Sequence, residues 1–367
     1  MGHIDAPRIK HLVMIDPHRL EVYWDQEVQH EELGSAYRIN KLQKTLAIDT
    51  DRSIADSDWA TRPIYEPIKK RTTLYLLTPL TRQEMNQVSV SVVGNITNSE
   101  GTAAEKKSYH LRHWQEFYTR FTQTKSGILI KSSDDVSREA HRKAQLVIDE
   151  MLVKIPQVAE KMVAENVELA IYGRHQDAYD IPEHRGGSDV LGRPAEGFGG
   201  CVGNPTTSIS EVNVLRITDG PSQTRYTNEC ILAHEFGHAI HLVGINLLAD
   251  QSLADELRDC YQHAKDQGLW PETYIISNYE EYFATLTTIW FNVMAESSSG
   301  TWDGVRGPLN RREELQAYDP KGYAFFAKIY PETALPYPWN ETPKKFPEMM
   351  SKIKDGTIHQ LEPVPAG

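Results

Sequence analysis

Over the first hundred residues, hydrophobic and polar positions alternate in short runs, and after that they take up helical spacing. HRLEVYWDQEV (18–28), SAYRI (35–39), TTLYLL (72–77) and QVSVSVVG (87–94) are rich in β-branched and aromatic residues. Several of these runs show period two, and Gly, Pro, Asp and Asn separate them, so they predict strands. Short strands at this spacing predict a small all-β sandwich over residues 1–100. The polar run at 99–108 breaks the pattern, and 101–108 is the expected linker. From 109 to 367 the pattern predicts an α+β domain. SREAHRKAQLVIDEMLVKIP (137–156) has helical periodicity, with Asp134 or Ser137 as N-cap and Pro156 near its end. VELAIY (167–172) reads as a buried strand and SISEVNVLRI (208–217) as another. Between them, 180–204 is so rich in Gly and Pro that a long irregular loop is expected. ECILAHEFGHAIHLVGINLLA (229–249) lacks Pro and is apolar nearly all round, the mark of a buried helix. TYIISNYEEYFATLTTIWF (273–291) predicts an amphipathic helix opened by Ser277 or Asn278, and RREELQAYDPKGYAFFAKIY (311–330) a packing element with a turn at Asp319-Pro320.

Composition narrows the function classes. The 367 residues carry 39 Lys+Arg against 51 Asp+Glu, and 39 − 51 gives −12. This balance opposes a phosphate-tracking nucleic-acid binder. Cys201, Cys230 and Cys260 allow at most one disulfide, too few for a disulfide framework. No run approaches the roughly 18 apolar residues of a membrane span, and MGHIDAPRIKHLVMID lacks a secretory apolar core. The chain is expected to act outside the cell as a processed form, or else in the cytoplasm. Asn95-Ile96-Thr97 and Asn340-Glu341-Thr342 are glycosylation sequons for a eukaryotic secretory route.

The chemistry is concentrated in His234-Glu235-Phe236-Gly237-His238. On a helix, His234 and His238 project from one face, so both imidazoles can reach one zinc ion. Glu235 is turned by about 100° from His234, which places it beside a water at the metal instead of among the ligands. The competing reading is a chance match on a core helix, and a third ligand separates the two. His241 shares the face of His234, but seven residues of rise, about 10.5 Å, is too far for one ion. That leaves it as a neighbour of the ligands or a surface histidine. It also departs from the metzincin pattern, which needs Gly at 241 and His at 244. Glu256, in LADELRDC, follows His238 by 18 residues at a thermolysin-like spacing. Glu280 and Glu281 open an apolar run that can pack across the His helix. Two His and one Glu with an open fourth position make a catalytic zinc site.

HEFGHA followed by Tyr274, Asn278 and Glu281-Tyr282-Phe283-Ala284 resembles the lethal-factor type of gluzincin metallopeptidase, a zincin-like fold, and the clostridial Pro-Pro endopeptidases. The resemblance is specific over 230–291. In those families a Tyr seven residues before the ligand Glu assists catalysis, which here selects Glu281 and names Tyr274. It implies His234, His238 and Glu281 as zinc ligands, Glu235 as general base and Tyr274 as oxyanion donor, acting on peptide bonds of a peptide or protein substrate. At 241 the chain has His where the lethal factor has an acid. The N-terminal strands resemble the immunoglobulin-like or fibronectin-like modules that precede secreted enzymes. Two rival expectations stand beside this one: a zincin-fold enzyme acting on a non-peptide small molecule, and a binding protein with a vestigial site. Cys230, four residues before His234, is expected to be buried and inert. Glu183, His184 and Arg185 are expected as solvated loop positions. The 208–217 strand is expected either at the sheet edge, where it can bind extended peptide by strand addition, or in the interior.

Overall fold

Ile9–Asp16 and Arg19–Trp24 pair as an antiparallel hairpin in the first of two units. The apolar side chains Leu12, Met14, Leu20 and Val22 on these two strands are fully buried. The computed structural model describes residues 5–50, 63–184, 195–271, 273–297 and 300–340. The described part of the first unit comprises residues up to 117 together with 179–184. Its five-stranded sheet has the order His113–Trp114, Ile9–Asp16, Arg19–Trp24, Arg71–Tyr75, Ile64–Glu66. A four-stranded sheet has the order Ser108–His110, Val88–Val92, Tyr37–Lys41, Lys44–Leu46. One core draws on both, with Leu20, Val22 and Leu74 from the first and Ile39, Val88 and Val90 from the second. Residues 101–108, the expected linker, are hydrogen-bonded within this unit: the Ala104 N–H donates to Ile96 O at 2.7 Å, and Ser108 opens a strand paired with Val88–Val92.

The second unit is α+β. Its sheet has the order Arg120–Gln123, Leu129–Ser132, Glu168–Tyr172, Thr206–Ser210, Gly197–Phe198. The three central strands are parallel and both edges antiparallel. Ser137 caps α1 (Arg138–Leu152) by accepting the Ala140 N–H at 3.2 Å. Pro156 does not end that helix but opens α2 (Pro156–Ala164), because a residue without an N–H and with fixed φ suits the first helical position. The 208–217 segment is a strand only to Ser210. That strand is wholly buried and paired on both sides, hence interior, and it passes at once into the short α3 (Glu211–Val214). The edge beside it is Gly197–Phe198, inside the region expected to be irregular. Of that region, 185–194, with Arg185, lies outside the described residues, as do Glu341 and Thr342.

The long apolar segment forms α4 (Ile231–Ala239) and then widens into a π-helical stretch, Ile240–Ile245. α5 (Ser252–Asp266) follows, then a 3-10 turn at Tyr274–Ile276 and α6 (Tyr279–Trp290). α6 is buried from Glu281 to Trp290, so it is a core helix and not an amphipathic one. α7 (Arg312–Tyr318) and α8 (Pro320–Ile329) break at Asp319, which caps α8 through the Gly322 N–H at 2.9 Å. Buried Asp319 also accepts from Tyr282 Oη (2.6 Å) and Trp270 Nε1 (3.2 Å), which ties α8 to α6.

Candidate metal centre

α4 and α6 bring three donors together. His234 and His238 stand four residues apart on α4, with ring centroids 4.9 Å apart and planes at 84°. Glu281 enters from the first turn of α6, where the Asn278 side chain caps the helix by accepting the Glu281 N–H at 2.8 Å. That cap fixes the backbone of the residue whose carboxylate faces the imidazoles. His234 Nε2 lies 3.2 Å from Glu281 Oε2, and His238 Nε2 lies 3.4 Å from Glu281 Oε1. One ligand atom from each residue falls within 4.8 Å of the others, so the group could hold a metal ion. Among the described residues no other group of this kind occurs.

The donor set fits a metal on two further observations. Glu281 Oε2 is buried and, although 3.2 Å from His234 Nε2, has no aligned hydrogen bond among the described residues, which is costly unless another interaction compensates. The cluster also attracts positive charge. Burial opposes protonation of His234, yet its close contact with the Glu281 carboxylate and the charges of Glu235, Glu281 and Glu229 push its pKa up to about 9. Glu281 is held well below the usual carboxylate range although burial works against it, because both histidines face it. Two imidazole nitrogens and one carboxylate oxygen are the ligands of an open divalent site.

Glu235 follows His234 on α4 and is enclosed by protein on most sides while keeping a solvent-facing portion. That enclosure pushes its pKa up, the direction that suits a group accepting a proton. The Tyr274 hydroxyl donates to Glu281 Oε1 at 3.1 Å. Tyr274 stands on the 3-10 turn ahead of α6 and not on a helix, and the residue is 53% exposed. The burial of its hydroxyl and the charge of Glu281 push its pKa up.

The rejected ligand candidates lie elsewhere. Glu256, on α5, pairs with Lys328. Glu280 precedes Glu281 on α6 but is not in the group. His241 is no surface histidine: it is fully buried, its ring against Tyr279 (4.8 Å) and Phe283 (5.2 Å), and neither ring nitrogen has a hydrogen-bond partner among the described residues. Cys230 is buried at the N-cap of α4, and its thiol pKa is pushed up to about 12 by burial. All three cysteines are free of disulfides. His184 is buried and not solvated.

Gly197 and Gly199 were not singled out by sequence reasoning. A Cβ at Gly199 would fall 2.4 Å from His238 Cβ, and one at Gly197 would fall 2.9 Å from Glu235 Cγ. Only glycine lets the edge backbone approach α4 so closely. The Gly-rich composition was the visible signal, but it did not say where the backbone would be pressed.

No family model and no curated protein matches the sequence. Among solved structures, a Pro-Pro endopeptidase from Paenibacillus alvei is 15% identical, with a TM-score of 0.27, over 53% of this chain and 91% of that one. The bacterial S-layer protein SbsC is 12% identical, with a TM-score of 0.25, and the match covers 33% of this chain and only 16% of that one. Yeast LTA4 hydrolase is 9% identical over 97% of this chain and 65% of that one, with a TM-score of 0.19. Scores this low settle neither fold nor chemistry, which rest on the residues themselves.

Proposed function

We propose that this chain is a zinc-dependent endopeptidase of gluzincin type, in which His234, His238 and Glu281 hold the metal. The observation that carries the reading is the convergence of these three side chains from two helices within 4.8 Å. Glu235 stands beside them, and the Tyr274 hydroxyl lies on the Glu281 carboxylate. The likeness of the 230–291 motifs to lethal-factor-type peptidases supports it. A zinc ion in this set supplies Lewis acidity, polarising a peptide carbonyl and making a water acidic near neutral pH. Glu235 would accept a proton from the water whose oxygen bonds to the peptide carbonyl carbon and deliver it to the amine nitrogen as the C–N bond breaks. The raised pKa of Tyr274 keeps its hydroxyl protonated, so on exchanging Glu281 Oε1 for substrate as acceptor its single O–H would donate to the carbonyl oxygen as negative charge develops there. We read the N-terminal unit as an immunoglobulin-like spacer or recognition module, and the enzyme as extracellular, on the strength of its sequence likeness to modules of secreted enzymes.

The test is cleavage of a proteome-derived peptide library, read by mass spectrometry, with metal content measured on the same samples. Wild type is expected to bind one zinc and cut peptides. Glu235→Gln should keep the zinc and lose about 10²- to 10⁴-fold in rate, and Glu281→Ala should lose the zinc. Undiminished cleavage by Glu235→Gln would overturn the mechanism, and a zinc-loaded wild type that cuts no peptide would favour a non-peptide substrate.

A further inference from the structure

One buried ion pair near the metal cluster neither ligates nor carries a proton in this scheme. Arg306 Nε and Nη2 both donate to Glu229 Oε2, at 3.0 and 2.6 Å. The Glu229 side chain is 7% exposed and that of Arg306 25%. Glu229 is the last residue before the N-cap of α4. Its backbone carbonyl accepts from Asn213 Nδ2 at 3.0 Å, and Asn213 Oδ1 takes the Ile231 N–H at 2.9 Å, so the backbone of Glu229 is tied to the start of α4.

Arg306 closes a turn. Asp303 Oδ1 accepts the Val305 and Arg306 N–H groups at 3.0 and 2.6 Å, and the Asp303 N–H donates to Arg306 O at 3.0 Å. Val305, the residue before Arg306, accepts the Tyr274 N–H on its carbonyl at 3.1 Å. A continuous path of contacts therefore runs from the first turn of α4 through Glu229, Arg306 and Val305 to Tyr274. Among the described residues, the other hydrogen bonds of Tyr274 are those its carbonyl accepts from the Ser277 N–H and Oγ and the one its hydroxyl donates to Glu281 Oε1.

Resting on the peptidase reading, we propose that Arg306, through Glu229, is a positioning residue that holds Tyr274 in register with the metal ligands. Both ends of the path belong to the site: α4 carries His234, His238 and Glu235, and Tyr274 supplies the donor. Because catalysis by a fixed donor depends on placement within about 1 Å, the pair acts on rate and leaves substrate affinity alone. Lysine at 306 keeps the charge but not the planar set of N–H groups that both meet Glu229 Oε2.

The experiment compares Arg306→Ala, Arg306→Lys, Tyr274→Phe and the double variant Arg306→Ala/Tyr274→Phe for kcat, KM and zinc content on a cleaved peptide. Arg306→Ala is expected to lower kcat about 100-fold with KM and zinc content unchanged, and Arg306→Lys to restore part of the loss. The double variant should be no slower than Tyr274→Phe alone, because both remove the same contribution. Losses that multiply in the double variant, or a full kcat in Arg306→Ala, overturn the proposal. Should Arg306→Ala fail to fold, Arg306→Lys combined with Tyr274→Phe is read by the same criterion. Placement is also read without activity, from the ¹⁹F resonance of 3-fluorotyrosine at position 274 in zinc-loaded protein. A shifted or broadened resonance in the Arg306 variants is expected, and an unchanged one overturns the inference. Failure of zinc-loaded wild type to cut any peptide overturns the peptidase reading instead, and the resonance still decides whether Arg306 places Tyr274.

Discussion

Tyr274 keeps its proton because its partly buried hydroxyl lies against the Glu281 carboxylate, and both features disfavour a second negative charge there. A phenol that stays protonated donates best to an oxygen gaining charge. Tyr274→Phe is therefore expected to lower kcat about 10²- to 10³-fold with KM nearly constant, as steady-state kinetics on a cleaved peptide would show. His241 makes a different prediction. Burial, together with the charges of His238 and Arg258, pushes its pKa down to about 3. Below about pH 6.5 the unfolded chain takes a proton that the folded chain refuses. Its contribution is intact above that pH, and stability falls progressively as pH drops toward the folded value. His241→Phe, which keeps the ring contacts with Tyr279 and Phe283, should flatten the fall in Tm on acidification. An unchanged Tm profile across that range would show that His241 is not the group taking up the proton. His30 and His141, both pushed down to about 4 by burial, leave a residual slope.

α4 and α6 meet so that one proposed ligand comes from the first turn of α6 and two from successive turns of α4, and the cap of α6 bears on the site as much as on the helix. Asn278→Ala removes the acceptor for the Glu281 N–H. It should destabilise the protein by about 1 kcal/mol in chemical denaturation and weaken zinc binding measured by competition with a chelator. If the fold weakens but zinc affinity does not, the cap serves the helix alone. The edge strand is coupled to α4 by close backbone approach. Gly199→Ala would drive a methyl against His238, and a zinc affinity about 10- to 100-fold lower is expected, as for other losses of ligand support. These elements differed in how visible they were. Cap chemistry narrowed the helix starts to Asp134 or Ser137 and to Ser277 or Asn278, because a cap is a local hydrogen bond between near neighbours in the chain, and the fold uses Ser137 and Asn278. Pro156 was ambiguous, since the same fixed φ closes one helix or opens the next. Gly197–Phe198 had no pattern to read, because two residues show no alternation and become a strand only by pairing with Ser208 and Ile209.

The two units have separate cores, and the three proposed metal ligands all lie in the second. Zinc should therefore stabilise one unit and not the other. At a free zinc concentration 100 times the Kd the gain is about 2.7 kcal/mol, and calorimetry with and without chelator should move only the transition of the second unit. A shift of both transitions would show that the units unfold together. Local chemistry along the chain was enough for the α+β class, the early strands and the His-Glu-x-x-His helix, because each depends on periodicity or on residues a few positions apart, whereas the choice of Glu281 and Tyr274 came from the resemblance to lethal-factor-type peptidases. Long-range packing decided the rest. It put Glu256 against Lys328, buried His241 among aromatic rings, made Thr206–Ser210 an interior strand and joined Glu229 to Arg306 across 77 residues. Those outcomes depend on which remote segments share a core, and hydrophobic periodicity marks a buried face without naming the segment that will cover it.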